Sequence, residues 1–290
     1  NNHKDLLILH VDKNFQIGII GLGLIGGSIA KALSKKGYEV FADDLLQKTI
    51  EDAQNQKAIL GSLNQINKNK DFIILFALPV LSLSKELEKY SAILSKAVLV
   101  TDCLSVKKDF KKILDEKNLD TSNFVMSHPI AGSEKSGFKN STPDLFKNRI
   151  SVLTKLADTS ESAFQICLEL WSEVGSSSIE LSIEKHDKFF ALTSHLPHLI
   201  AFSLISAVSE INPGSANLLS GGGLKDFTRI ASSDPKMWED IFLSNKENIL
   251  ESLESFKKEM NKIESFIKSS DAEKINEIIK SAKLYRDSLL

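Results

Sequence analysis

The run Phe124-Val125-Met126-Ser127-His128-Pro129-Ile130-Ala131-Gly132-Ser133-Glu134-Lys135-Ser136-Gly137 sets a histidine where an apolar, strand-like stretch becomes a polar loop. An imidazole there can take a hydroxyl proton, because its pKa lies near working pH. Taken alone, however, a histidine at a strand end is more often structural. A second constellation is Ser220-Gly221-Gly222-Gly223-Leu224-Lys225-Asp226-Phe227-Thr228-Arg229-Ile230. If a helix begins at the glycines, Lys225 and Arg229 share a face and form a compact anion site, with Arg229 able to grip a carboxylate through two bonds. The competing arrangement is an Asp226–Arg229 pair with Lys225 in solvent. Arginine is scarce here, Arg149, Arg229 and Arg286 being the only three among 36 basic residues, which favours the anion site.

In Thr193-Ser194-His195-Leu196-Pro197-His198 two histidines lie three apart and could share a helix face. No cysteine or acid completes a metal-ligand spacing, so packing or capping is the better reading and no metal is expected.

The segment from Gln16 to Leu33 carries Gly21-x-Gly23-x-x-Gly26 between a strand-like run and a helical one. Gly21 suits a tight turn, Gly23 lets the backbone approach a pyrophosphate, and Gly26 permits close helix–strand packing; Leu24 and Ile25 complete the cofactor loop. Asp43 and Asp44 end the next strand, and Asp44 is the preferred acid for the ribose hydroxyls, with Asp43 the alternative. Two adjacent carboxylates repel a 2′-phosphate, which favours NAD over NADP. Ala77 and Pro79 end a third strand and Asp102 a fourth, so these are expected to line the nicotinamide side. Cys103 reads as a small buried hydrophobe.

Positioning these groups requires alternating elements. Strand-like runs fall at 16–20, 39–42, 71–77, 97–101, 123–127, 150–154 and 177–181, with helical patterns at 28–36, 45–56, 82–90 and 105–117. That alternation predicts an α/β doubly wound, mainly parallel Rossmann sheet over residues 12–181. Beyond 182 strand runs vanish, and helical patterns over 186–210, 236–269 and 272–290 predict an all-helical substrate and dimerisation domain over 182–290. A net charge of -2 gives no footprint for nucleic acid or an anionic membrane. The longest apolar run, 17–30, is short of the roughly 20 residues a span needs. Two cysteines form no disulfide framework and suggest a cytoplasmic setting.

Together, GLGLIGGSIA, DCLSVK, SHPIAGSEKSGF, SHLPHLIA and GGGLKDFTRIA resemble the prephenate/arogenate dehydrogenase family, in order and over about four fifths of the chain. The pair Asp43-Asp44 departs from the pattern, where an aromatic residue is expected before a single ribose acid. The resemblance implies NAD-dependent oxidative decarboxylation of prephenate to 4-hydroxyphenylpyruvate in tyrosine biosynthesis, with arogenate as the alternative substrate and a non-catalytic NAD-binding sensor as the remote one. It implies His128 as proton acceptor, and Ser105 as the residue that orients that histidine or the substrate hydroxyl. It further implies Arg229 and Lys225 on a substrate carboxylate, His198 and Ser194 lining the pocket, and Glu134 holding the loop or gating it. Trp238 is expected to approach from the partner of a homodimer. With no room for a fused mutase or regulatory domain, any inhibition by tyrosine is expected to be competitive.

Overall fold

The computed structural model describes residues 15–131, 135–211 and 221–289. Seven strands, β1 (Gln16–Ile20), β2 (Glu39–Asp43), β3 (Phe72–Phe76), β4 (Leu99–Asp102), β5 (Phe124–Pro129), β6 (Arg149–Lys155) and β7 (Ser176–Glu180), form one sheet in the order β2-β1-β3-β4-β5-β6-β7. All neighbours run parallel except β5 and β6. Each strand-like run in the sequence corresponds to one of these strands.

The reason the central runs β1, β3 and β4 are nearly all apolar is burial on two sides. Ile17, Ile19, Ile73, Leu75 and Leu99 pack under α1 (Leu24–Lys35) and α5 (Glu161–Glu173). Their sequence neighbours Ile20, Ile74, Phe76 and Val100 pack under α3 (Val80–Leu94) and α4 (Lys108–Glu116). Successive strand side chains point to opposite faces, so a sheet covered by helices on both demands apolar residues at nearly every position. The small helix α2 (Gln47–Asn55) completes this half.

The second half holds α6 (Ile183–Phe190), a π turn (Ala191–His195), α7 (Leu196–Ile211), α8 (Gly222–Thr228) with a 3-10 turn (Arg229–Ser232), α9 (Pro235–Ser244), α10 (Lys246–Lys268) and α11 (Ala272–Ser288). The single helix expected over 236–269 is interrupted at Asn245. That residue leaves helical geometry and turns its amide inward, donating to the Asp187 carbonyl at 2.8 Å and meeting His195 Nδ1 at 3.2 Å. Among the described residues one stretch, 183–210, is long and apolar enough by composition to cross a membrane, contrary to the sequence reading. Its first turns carry the buried, hydrogen-bonded His186 and Asp187, and most of its remaining apolar surface lies uncovered in the single chain.

Candidate active site

The sheet order reverses at β1, which lies between β2 and β3, and ligands of such sheets sit beyond the strand ends at that point. Gly21 adopts φ +97°, and a Cβ there would lie 2.5 Å from the Ala77 carbonyl oxygen. A Cβ on Gly26 would lie 2.0 Å from the Gly21 oxygen, so both positions exclude any side chain. Gly23 meets nothing within 4 Å. Its glycine leaves open space over the N-terminus of α1, which has no side-chain cap. A pyrophosphate fits that arrangement, against the unpaired N–H groups and the positive helix end. Leu24 and Ile25 are half-buried on the same turn, and Ala77 docks on it through its N–H to the Ile20 carbonyl at 2.8 Å. Pro79 is exposed and caps α3 beside it.

The two adjacent acids have different surroundings. Asp43 is held internally by the Ser62 hydroxyl (2.6 Å), the Leu63 N–H (3.2 Å) and the Tyr90 hydroxyl (2.7 Å). Asp44 instead accepts the Leu22 N–H of the glycine loop at 2.7 Å and the Leu46 N–H at 2.9 Å, and so is the acid that could face a ribose. Asp102 requires a correction. Its carboxylate is fully buried and taken up by internal bonds, to Lys107 Nζ at 2.5 Å, the Leu104 N–H at 2.8 Å and the Ser127 N–H at 3.1 Å, so it presents no surface to a ligand.

His128 lies at the end of β5, one strand from β4. Its Nδ1 is 2.9 Å from Nε2 of His186, whose Nδ1 is 2.7 Å from Asp187 Oδ1. Asp187 also accepts the backbone N–H groups of Lys107 (2.9 Å) and Lys108 (2.8 Å), and its carboxyl is held below the ordinary range by the His186 bond and these N–H groups, which outweigh its burial. The bonding assigns the tautomers: His186 gives its Nδ1 proton to Asp187, its Nε2 accepts from His128 Nδ1, and His128 Nε2 is left as a lone pair. Burial, then the neighbouring His186, Lys107 and His195, push His128 well below the usual histidine pKa. Phe190 packs edge-on against the ring, with centroids 4.7 Å apart.

His128 is therefore oriented by His186. The Ser105 hydroxyl, expected to help do this, has no hydrogen-bond partner among the described residues. The sequence reading missed His186 and Asp187, treating them only as the start of a helix. A His-Asp pair opening an apolar helix was the available signal.

The helical half brings together His198, Ser194 and Arg229. His198 Nδ1 donates to the Ser194 carbonyl at 2.9 Å, and its pKa is lowered first by burial, opposed by that bond, with Arg229 lowering it further. The helix α8 begins at the glycines as expected, and Lys225 and Arg229 are both exposed. Trp238 differs from the expectation. It is buried within its own chain, stacked on His198 with centroids 3.7 Å apart, among Val106, Ile241, Phe202 and Phe242. The cause is α9, whose Asp240 caps the N-terminus of α3 in the same chain through the Val80 (2.5 Å) and Leu81 (3.1 Å) N–H groups. Glu134 lies outside the described residues.

A glycine-rich dinucleotide loop, a neutral histidine at the carboxyl end of the same sheet and a helical domain carrying the exposed Lys225 and Arg229 define a two-domain, nucleotide-dependent dehydrogenase. Residues 29–180 match the model of the prephenate dehydrogenase nucleotide-binding domain, and residues 182–281 match that of the prephenate dehydrogenase dimerization domain. The chain belongs to the prephenate dehydrogenase family. It is 34% identical to prephenate dehydrogenase of Bacillus subtilis, over all of this chain and 77% of that protein. It is 33% identical to cyclohexadienyl dehydrogenase of Zymomonas mobilis, over 94% and 95% of the two chains. The structure resembles prephenate dehydrogenase from Aquifex aeolicus, solved with hydroxyphenyl propionate and NAD+, with TM-score 0.86, 34% identity and coverage of 95% and 98%.

Proposed function

We propose that this chain is an NAD-dependent prephenate dehydrogenase that makes 4-hydroxyphenylpyruvate in tyrosine biosynthesis. The observation that carries the reading is the neutral His128, at the carboxyl end of β5 and backed by His186 and Asp187. When bound, the nicotinamide supplies the acceptor for a hydride. His128 Nε2 takes the proton of the substrate's ring hydroxyl as the carbinol C–H bond gives up its hydride. The bond to the ring carboxylate then breaks, CO2 leaves, and its electron pair completes the aromatic ring as a phenolate, which takes the proton back from His128. Positive charge arriving on His128 is offset through His186 by the ionised Asp187, an arrangement fixed before substrate binds and therefore needing little reorganisation. Arg229 and Lys225 receive a substrate carboxylate, and Ser194 and His198 line the ring.

Asp44 holds the adenosine ribose in this reading, the protein acts in the cytoplasm as a homodimer, and tyrosine competes at the substrate site. The test is NADH formation at ~340 nm, the nicotinamide absorbance, with prephenate and with arogenate, using NAD and NADP, in the native protein and in His128→Asn. Turnover on prephenate with NAD is expected, and His128→Asn should lower kcat on the order of 100-fold or more with little change in substrate affinity. Turnover on arogenate alone would replace the substrate. No turnover on either, with NAD bound, would remove the enzyme reading.

A further inference from the structure

Lys107 closes the run Asp102-Cys103-Leu104-Ser105-Val106-Lys107, and its side chain is fully buried. Its ammonium donates to Asp102 Oδ1 at 2.5 Å and to the carbonyl of Ser127. Asp102 in turn accepts the Ser127 N–H at 3.1 Å, so both backbone groups of the residue preceding His128 are gripped by this one ion pair. The backbone N–H of Lys107 donates to Asp187 Oδ1 at 2.9 Å, on the same oxygen that His186 meets. One residue thus ties together the end of β4, the peptide that aims His128 and the carboxylate that ends the relay.

A buried ion pair is a poor choice if only stability is at stake. Desolvation offsets most of its attraction, and apolar or neutral replacements of similar shape are often as stable. The position of this pair supplies another reason, because it holds the peptide of the residue preceding His128. We propose that Lys107 is a positioning residue for the dehydrogenase reaction: paired with Asp102, it grips both backbone groups of Ser127 and so fixes His128 against its relay. The inference rests on the role proposed above for His128.

The groups around His128 agree with this. His186 from α6 bonds it directly, His195 from the π turn and Lys107 from the loop after β4 act on it through their charge, and Asp187 and Asp102 bond His186 and Lys107 in turn. Burial is the largest influence lowering its pKa, followed by His186, Lys107 and His195. The same ammonium lowers His186, which burial also lowers and the Asp187 bond raises. A cation behind the base therefore extends the range over which it remains unprotonated toward lower pH.

The test compares three forms: native protein, a neutral pair carrying Lys107→Gln with Asp102→Asn, and Lys107→Arg. For each, kcat/KM for prephenate is followed against pH with saturating NAD, and His128 is titrated by nitrogen-15 NMR without substrate. The neutral pair should move the acid limb and the His128 titration to higher pH by about half a unit or more, with the NAD Kd changed by less than about twofold. Lys107→Arg, which keeps the charge, should restore the native limb. A neutral-pair profile that superimposes on the native one, or a limb that stays raised in Lys107→Arg, would overturn the proposal. If the neutral pair fails to fold, Asp102→Asn alone takes its place: with its hold on the Ser127 N–H weakened, kcat should fall several-fold while the NAD Kd stays within about twofold, and an unchanged kcat would overturn the proposal. Since the NMR titration needs no substrate, a failure to turn over prephenate would count against the assigned reaction and leave Lys107 readable.

Discussion

Three imidazoles, the half-buried His128 and the buried His186 and His195, are all held below the usual histidine pKa, each chiefly by desolvation, and His195 is pushed down to about 4. That has a consequence for stability. The unfolded chain takes up protons on these histidines as pH falls through about 6.5, while the folded chain refuses them. The stability they contribute is therefore complete above that pH and lost progressively below it, by up to about 1.4 kcal/mol per pH unit for each histidine. Urea unfolding at pH 7 and pH 5 should show it, and His195→Asn should fall off less steeply; equal slopes would contradict the assignment. On the substrate side, Arg229→Ala should raise KM strongly with a smaller effect on kcat, since truncating a charged contact costs roughly 2–5 kcal/mol. His128 and Arg229 were legible as residue types in unusual settings. Lys107, His186 and Asp187 were not, because their importance lies in bonds between segments 20 to 80 positions apart, which no local pattern records.

Among the elements, the central strands β1, β3 and β4 were readable because burial on both faces leaves an almost unbroken apolar signature, whereas β7 (Ser176–Glu180) is polar and largely exposed at the sheet edge. Helix α5 escaped explicit notice, although Ser160 caps it by accepting the Ala163 N–H. The break at Asn245 was invisible because its cause is a buried carbonyl in another helix, and Asn is tolerated within a helical pattern. The most consequential contact between elements is Asp240 on the N-terminus of α3. It anchors the helical half directly behind Pro79, at the rim of the cofactor cleft. Removing a capping acid costs about 1 kcal/mol. Asp240→Ala should therefore lower the thermal midpoint by a few degrees and also weaken NAD binding, measured by calorimetry. Loss of stability with an unchanged NAD Kd would confine Asp240 to a structural part.

At the scale of the whole molecule, the single chain leaves much apolar surface uncovered. Helix α11 buries none of its side chains, and Ile279, Leu284 and Tyr285 on it are 61%, 72% and 70% exposed. An apolar hollow beside Phe190 is lined by Ile130, Ile150, Ile179, Phe189 and Leu192. Surfaces of this kind mark association, and the helical half matches a dimerization domain. Sedimentation should accordingly give a species of twice the 32.1 kDa chain, and a monomer at micromolar concentration would refute that. The relay itself crosses the molecule's main division, with His128 on the sheet and His186 and Asp187 on the first helix of the other half. The acid–base device is thus a property of the docked pair and of neither half alone. Separation of the two would unplug the histidine from its counterion, so the chain carries its own interlock: proton abstraction is armed only while the two halves are docked.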